Sequence, residues 1–171
     1  MNRRPLHFVN REREWELLEK LLTIVDNSEF SPKSTAVLMV SPDYSATVAM
    51  HLAHAWSKGG EIIPIIPVEV PYPDESNYQY QRLMLNNKLE FQKYKHIVCI
   101  EAGIIRGGNW QWILETLTTN FGFNRSDITL VALCENIHSK TKSDYVGEYY
   151  DDNTHELMFY FERFNKHWQV R

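Results

Sequence analysis

Apolar residues fall along this chain in two alternating patterns: short unbroken runs, and longer stretches in which they recur every three or four positions. Thr35 to Val40, His96 to Glu101 and Asp127 to Cys134 are runs of the first kind, rich in Val, Ile and Leu. Their length and composition fit strands covered on both faces, as in a parallel sheet. The second pattern marks helices. Asn10 can cap a helix through Val25, with Trp15, Leu18, Leu22 and Val25 on one stripe that would cover the sheet. A further helix is predicted from about Ala46 to Trp56, stopped by Gly59 and Gly60, and another from Asn109 to about Asn120, before Phe121 and Gly122. Glu61 to Val68 reads as a strand demoted to an irregular or edge position by Pro64 and Pro67. Asp26 to Ser34 is a polar loop, and Pro71 to Asn87, rich in Tyr and Pro, reads as a loop or small flap.

Strands alternating with helices predict an α/β domain with a mostly parallel sheet flanked by helices. Its core would span 35 to 135. Two more strand-like runs, Asp144 to Tyr150 and Leu157 to Phe161, are separated by the polar Asp151-Asp152-Asn153-Thr154 and predict an antiparallel C-terminal extension. No repeat or low-complexity tract interrupts the pattern, so 171 residues are read as a single domain, 1 to 171.

Charge narrows the partners. Eighteen Lys and Arg against 22 Asp and Glu leave a net charge of −4 with the basic residues scattered, which argues against nucleic acid held on a basic face. No apolar run approaches the ~18 residues of a membrane span, and the start lacks a signal core. Cys99 and Cys134 both lie in strand-like runs and read as buried thiols. The expectation is a cytoplasmic protein without membrane partners, and a homodimer.

Candidate chemistry concentrates in His96 to Trp110, where an apolar strand meets Glu101, then a glycine turn, then a helix. Backbone N–H groups at such a helix start favour an anion. Gly107 and Gly108 permit close approach and positive φ, Asn109 has N-cap chemistry, and Arg106 can make a bidentate phosphate contact. An ordinary strand-to-helix turn has the same local spacing. Other groups have blander readings. His51 and His54 lack a third metal ligand nearby, Cys99 lacks a neighbouring His, and Asp151, Asp152, His155 and Glu156 fit a solvated turn. The aromatic and basic tail Phe161 to Trp168 can stack on a base or dock on protein.

The order of these parts, over roughly Ala36 to Trp168, resembles the type I phosphoribosyltransferase fold, and most of all the hypoxanthine-guanine phosphoribosyltransferases. In that family a strand ends in two acids, two apolar residues, an acid, a small hydroxyl residue, Gly, any residue and Thr. The segment Ile97 to Asn109 is similar in length, apolar lead-in and Gly107. The family's Lys-Pro-Asp-Phe/Tyr-Val-Gly is echoed by Lys142-Ser143-Asp144-Tyr145-Val146-Gly147. The resemblance implies a 5′-phosphate and ribose site at Glu101, Arg106, Gly107, Gly108 and Asn109. It also implies a pyrophosphate loop at Ser41, Pro42, Asp43 and Tyr44, base contacts from Lys142 and Tyr145, and magnesium at Glu101. A hood-like segment would span 142 to 168, and a closing loop would include Asn77, Tyr78 and Tyr80. The ligand implied is phosphoribosyl pyrophosphate or a nucleotide, with phosphoribosyl transfer to a purine-like base, a purine-salvage glycosyltransferase reaction. The departures matter equally. Ala102 stands for the second acid, Ile105 for the later acid proposed to handle the purine proton, and the tail's aromatic and acid fall near Glu156 and Arg163. Isoleucine does no proton chemistry. Glu69, Asp74, Glu75 and Glu135 are the acids available as substitutes. A catalytically inactive relative, acting as a nucleotide-binding regulator or an interaction scaffold, is the alternative.

Overall fold

The computed structural model describes residues 4–57, 59–68 and 93–159. Among these residues seven strands and three α-helices follow in the order β1 (Leu6–Val9), α1 (Arg11–Ile24), β2 (Thr35–Val40), α2 (Pro42–Trp56), β3 (Ile65–Val68), β4 (His96–Ile104), α3 (Gly108–Glu115), β5 (Ile128–Asn136), β6 (Tyr145–Tyr150) and β7 (Glu156–Phe159). Five strands form one sheet in the order β3-β2-β4-β5-β6, and every pairing in it is parallel. The central strands are apolar on both faces because helices cover both. On one face Leu17, Leu18 and Leu21 of α1 and Val48, Leu52 and Trp56 of α2 pack on Val37, Val98, Ile100 and Val131. On the other, Trp110, Trp112 and Ile113 of α3 pack on Leu38, Cys99 and Leu130.

Several expectations are corrected. The C-terminal strands are not an antiparallel extension: β6 runs parallel to β5, and β7 runs parallel to β1 in a separate two-stranded sheet. The polar Asp151–Thr154 segment therefore turns the chain out of one sheet and into another. The strand β1 was not read in the sequence, since four residues carry too little periodicity. In α1 the buried positions are Glu14, Leu17, Leu18 and Leu21, whereas Trp15 is half exposed at 52%. Helix α2 starts at Pro42, four residues before Ala46, because proline suits the first helical turn. The expected 109–120 helix is α only to Glu115 and closes as a π-helical turn, Thr116–Asn120. The strand expected over 61–68 is confined to Ile65–Val68, at the sheet edge where its proline is tolerated. Both cysteines are buried and free.

The strand order places the candidate site. The chain leaves β2 toward β3 on one side and leaves β4 toward β5 on the other, so crossovers diverge between the neighbours β2 and β4. Outside the carboxyl ends of strands at such a reversal, the loops part and leave a crevice.

Candidate functional site at the carboxyl edge of the sheet

Glu101 lies near the end of β4 and its side chain faces the α3 side, following Ile97 and Cys99 in the strand's alternation. It is 5% exposed. Asn109 Nδ2 donates to Glu101 Oε1 at 2.7 Å, and Ser41 Oγ, at the end of β2, donates to the same oxygen at 3.4 Å. The second oxygen, Oε2, is buried without a hydrogen-bond partner among the described residues. Burial pushes the carboxyl up to about 7, with the Asn109 and Ser41 bonds opposing that rise. Glu101 is thus an acid with one oxygen held and one unfilled, at the point where the crossovers diverge.

The turn that follows is shaped by Gly107, the N-cap of α3, at φ +77°. A Cβ there would lie 2.6 Å from Ser139 Oγ and 2.7 Å from the Thr141 carbonyl oxygen, so only glycine fits both the conformation and the space. Gly108 is different, since a Cβ there would meet nothing within 4 Å. The carbonyls before the turn are engaged: Asn136 Nδ2 donates to Ile105 O at 2.9 Å, and Lys140 N donates to Arg106 O at 3.2 Å. No acceptor among the described residues takes the N–H of Arg106, Gly107, Gly108 or Asn109. Arg106 is exposed, and its guanidinium has no partner among the described residues. A turn with unfilled amide donors, a helix start and a neighbouring cation is suited to an anion.

Asn109, expected as the N-cap, is instead two residues inside the cap and holds Glu101. Trp110 does not fill the turn: it is fully buried in the core under α3, and its Nε1 donates to Ser143 Oγ at 2.8 Å.

The turn after β2 is the second half of the crevice. Ser41 adopts φ +50° as N-cap of α2, Pro42 opens the helix, and Tyr44 and Ser45 donate their N–H groups to Ser41 O. There is no cis peptide bond among the described residues. The side chains of Pro42 and Asp43 lie outside what is described, and Tyr44 is 41% exposed.

The residues expected to contact a base are not gathered here. Tyr145 packs against the α1 and α2 face of the core. Lys142 Nζ donates to the carbonyls of Asn136 at 3.1 Å and Ile137 at 2.8 Å, and lies 3.3 Å from Oε1 of the fully buried Glu135. Glu135 Oε2 accepts from Ser143 N at 2.8 Å. Lys142 therefore ties down the β5–β6 connection. The flap residues Asn77, Tyr78 and Tyr80, the acids Glu69, Asp74 and Glu75, and the tail from Phe161 to Trp168, including Arg163, lie outside the described residues. Ser45, buried, accepts from Ala102 N at 3.0 Å and joins α2 to β4. Neither Ser45 nor Asn136 was singled out in the sequence. A polar residue closing an apolar strand, as Asn136 does, was the one available signal.

The departures from the resembled motif have physical settings. Ala102 points into the apolar cluster under α1 and α2, where an acid would lose its hydration. Ile105 is 48% exposed in the loop. Among the described residues no group of three or more His, Cys, Asp or Glu can hold a metal, and no helix is long and apolar enough to cross a membrane.

No family model and no curated protein matches the sequence. Solved structures do. A hypothetical protein from Neisseria gonorrhoeae with bound ppGpp superposes with a TM-score of 0.69 at 14% identity, over 99% of this chain and 97% of that one. The Helicobacter pylori xanthine-guanine-hypoxanthine phosphoribosyltransferase matches at 0.66 and 13% identity, over 96% and 100%. A purine phosphoribosyltransferase from Pyrococcus horikoshii matches at 0.65 and 14%, over 89% and 90%. The chain has the type I phosphoribosyltransferase fold.

Proposed function

We propose that this protein binds a 5′-phosphorylated ribose compound, phosphoribosyl pyrophosphate or a nucleotide, with the phosphate on the amides of Arg106 to Asn109 and the ribose beside Glu101. The observation that carries the reading is the Gly107 turn: its carbonyls are taken by the protein while the following N–H groups have no acceptor among the described residues. Arg106 can add a charge-assisted contact to the phosphate. A ribose hydroxyl is the right donor for the unfilled oxygen of Glu101. The Ser41 turn offers a further phosphate group less, since the N–H groups of Ser41, Tyr44 and Ser45 are already donated within the protein and Pro42 has none.

Two forms of this reading differ in chemistry. Transfer of a phosphoribosyl group to a purine-like base passes through a charge-separated state stabilised by fixed charges, and one lost electrostatic partner costs about 3 kcal/mol. Magnesium fits only as an ion carried in by the ligand's phosphates, since Glu101 supplies one carboxylate and belongs to no group of three or more metal-ligating residues among those described. When bound, such an ion would neutralise a diphosphate leaving group. Binding without turnover is favoured by Ala102 and Ile105, which remove both later acids. The Neisseria gonorrhoeae protein that holds ppGpp supports a guanine nucleotide as the ligand of such a regulator.

Isothermal titration with phosphoribosyl pyrophosphate and with nucleoside 5′-monophosphates, each with and without magnesium, tests the reading. Binding of a 5′-phosphorylated compound is expected. Pyrophosphate release in the presence of a purine base would establish the transferase form, and tight metal-independent binding without release the regulatory one. Absence of heat with every compound would overturn both.

A further inference from the structure

The anion cradle is shaped from behind, by a residue that would never touch the ligand. Asn136 closes β5 and is 5% exposed. Its side-chain amide serves three segments at once: Nδ2 donates to Ile105 O at 2.9 Å, while Oδ1 accepts from His138 N at 3.1 Å and from Asp152 N at 3.3 Å. The β4–α3 turn, the β5–β6 connection and the β6–β7 turn therefore meet on one carboxamide. In a trans peptide the C=O of one residue and the N–H of the next point in opposite directions. Drawing the Ile105 carbonyl back onto Asn136 directs the Arg106 N–H the other way. Lys140 N does the same for the Arg106 carbonyl and the Gly107 N–H.

We infer that Asn136 is a positioning residue for the cradle: its carboxamide turns the Ile105–Arg106 peptide plane, beside the Arg106–Gly107 plane held by Lys140 N, so that the N–H groups of Arg106 and Gly107 converge on the phosphate of a 5′-phosphorylated ribose. This rests on the reading of the cradle given above. Only a carboxamide can fill the role, because it must donate to one carbonyl and accept from two N–H groups. Alanine leaves all three unpaired, and aspartate keeps the acceptor but loses the donor.

The test compares the full-length wild type with Asn136→Ala and Asn136→Asp, and with Asn124→Ala, which breaks the cap of the short 3₁₀ turn Arg125–Asp127 outside the cradle. Two quantities are read: the amide resonances of Arg106 to Asn109 in ligand-free protein, and the affinity for guanosine 5′-monophosphate against guanosine. Both Asn136 variants are expected to displace the Arg106 and Gly107 resonances. They should weaken the monophosphate about tenfold, the scale of one charge-assisted contact, while guanosine affinity holds. Asn124→Ala should leave both readouts in place. Unchanged amide resonances and unchanged monophosphate affinity in Asn136→Ala would overturn the inference, as would equal losses for guanosine and its monophosphate. If wild type binds no monophosphate, the reading of the cradle as a phosphate site falls. The ligand-free resonances then decide by themselves whether Asn136 sets the turn.

Discussion

Two strand-to-helix turns stand side by side at the carboxyl edge of the sheet, after β2 and after β4, and they reach the same backbone conformation by different means. Each places its helix N-cap at positive φ, +50° at Ser41 and +77° at Gly107, and neither cap makes a side-chain hydrogen bond to its helix. The Ser41 turn is held locally: Ser41 N donates to Val68 O of β3, two N–H groups of its own helix return to Ser41 O, and proline opens the helix. The Gly107 turn is held from outside, by Asn136, Lys140 and the close approach of Ser139 and Thr141. At Gly107 the small residue is required by space as well as by torsion. At Ser41 a side chain is kept in an unfavourable conformation, and the hydroxyl so retained reaches Glu101. One turn is therefore fixed by its neighbours, and the other carries a conformational cost of about 1 kcal/mol in order to place a polar group.

The sharpest way to break this contrast is Gly107→Ala. The left-handed torsion and the clash with Ser139 and Thr141 together should cost about 3 kcal/mol, read as a fall in the denaturant midpoint, and abolish phosphate binding. Gly108→Ala, into open space, should stay within about 0.5 kcal/mol and marks how local the requirement is.

Glu101, which joins the two turns, gives the next largest effect through pH. Its carboxyl is raised from 4.5 to about 7 on folding, so the folded protein binds the proton more tightly than the unfolded chain. The stability it contributes is complete below about pH 4.5 and is lost as pH rises through about 7, amounting to about 3 kcal/mol across that window. Glu101→Gln should flatten this slope in urea melts from pH 5 to 8. A slope unchanged by the substitution would show that Glu101 does not carry it.

A smaller loss, about 2 kcal/mol, is expected for Lys142→Met, which strands the fully buried Glu135 while Lys142 itself is half exposed. Pairing it with Glu135→Leu should recover most of that loss. A smaller effect still tests the other turn: Ser41→Gly should raise stability by about 0.5 to 1 kcal/mol by relieving its torsion. A destabilised Ser41→Gly would mean that the long bond to Glu101 outweighs the strain.

Much of the architecture was legible because apolar runs and helical stripes are local signals. Thr35–Val40 is a strand with the bounds its sequence implies, and the parallel core follows from strands alternating with helices. What local signals lack is the choice of partner. Asp151–Thr154 has turn chemistry, yet whether the next strand folds back beside β6 or crosses to β1 depends on residues some 150 positions away. The burial of Glu14 in place of Trp15 is likewise set by the neighbours of α1, Arg13 being drawn to Glu148 of β6 at 3.0 Å. At the site, Glu101, Gly107 and Asn109 are visible through spacing, since strand, turn and helix start follow one another in sequence. Asn136 and Ser45 act through bonds between side chain and backbone across loops, and no spacing rule records them.

The pairing of β1 with β7 has an effect on the order in which the molecule can be completed. Among the described residues Leu6–Val9 has its strand partner in Glu156–Phe159, and Leu157 and Phe159 also close over Gly103 on β4. During synthesis Leu6–Val9 must wait for this partner until some 150 further residues have been made. Gly103, on the strand that leads to the Gly107 turn, keeps a bare flank until the same late residues arrive, so this side of the sheet closes only after β7 has been made.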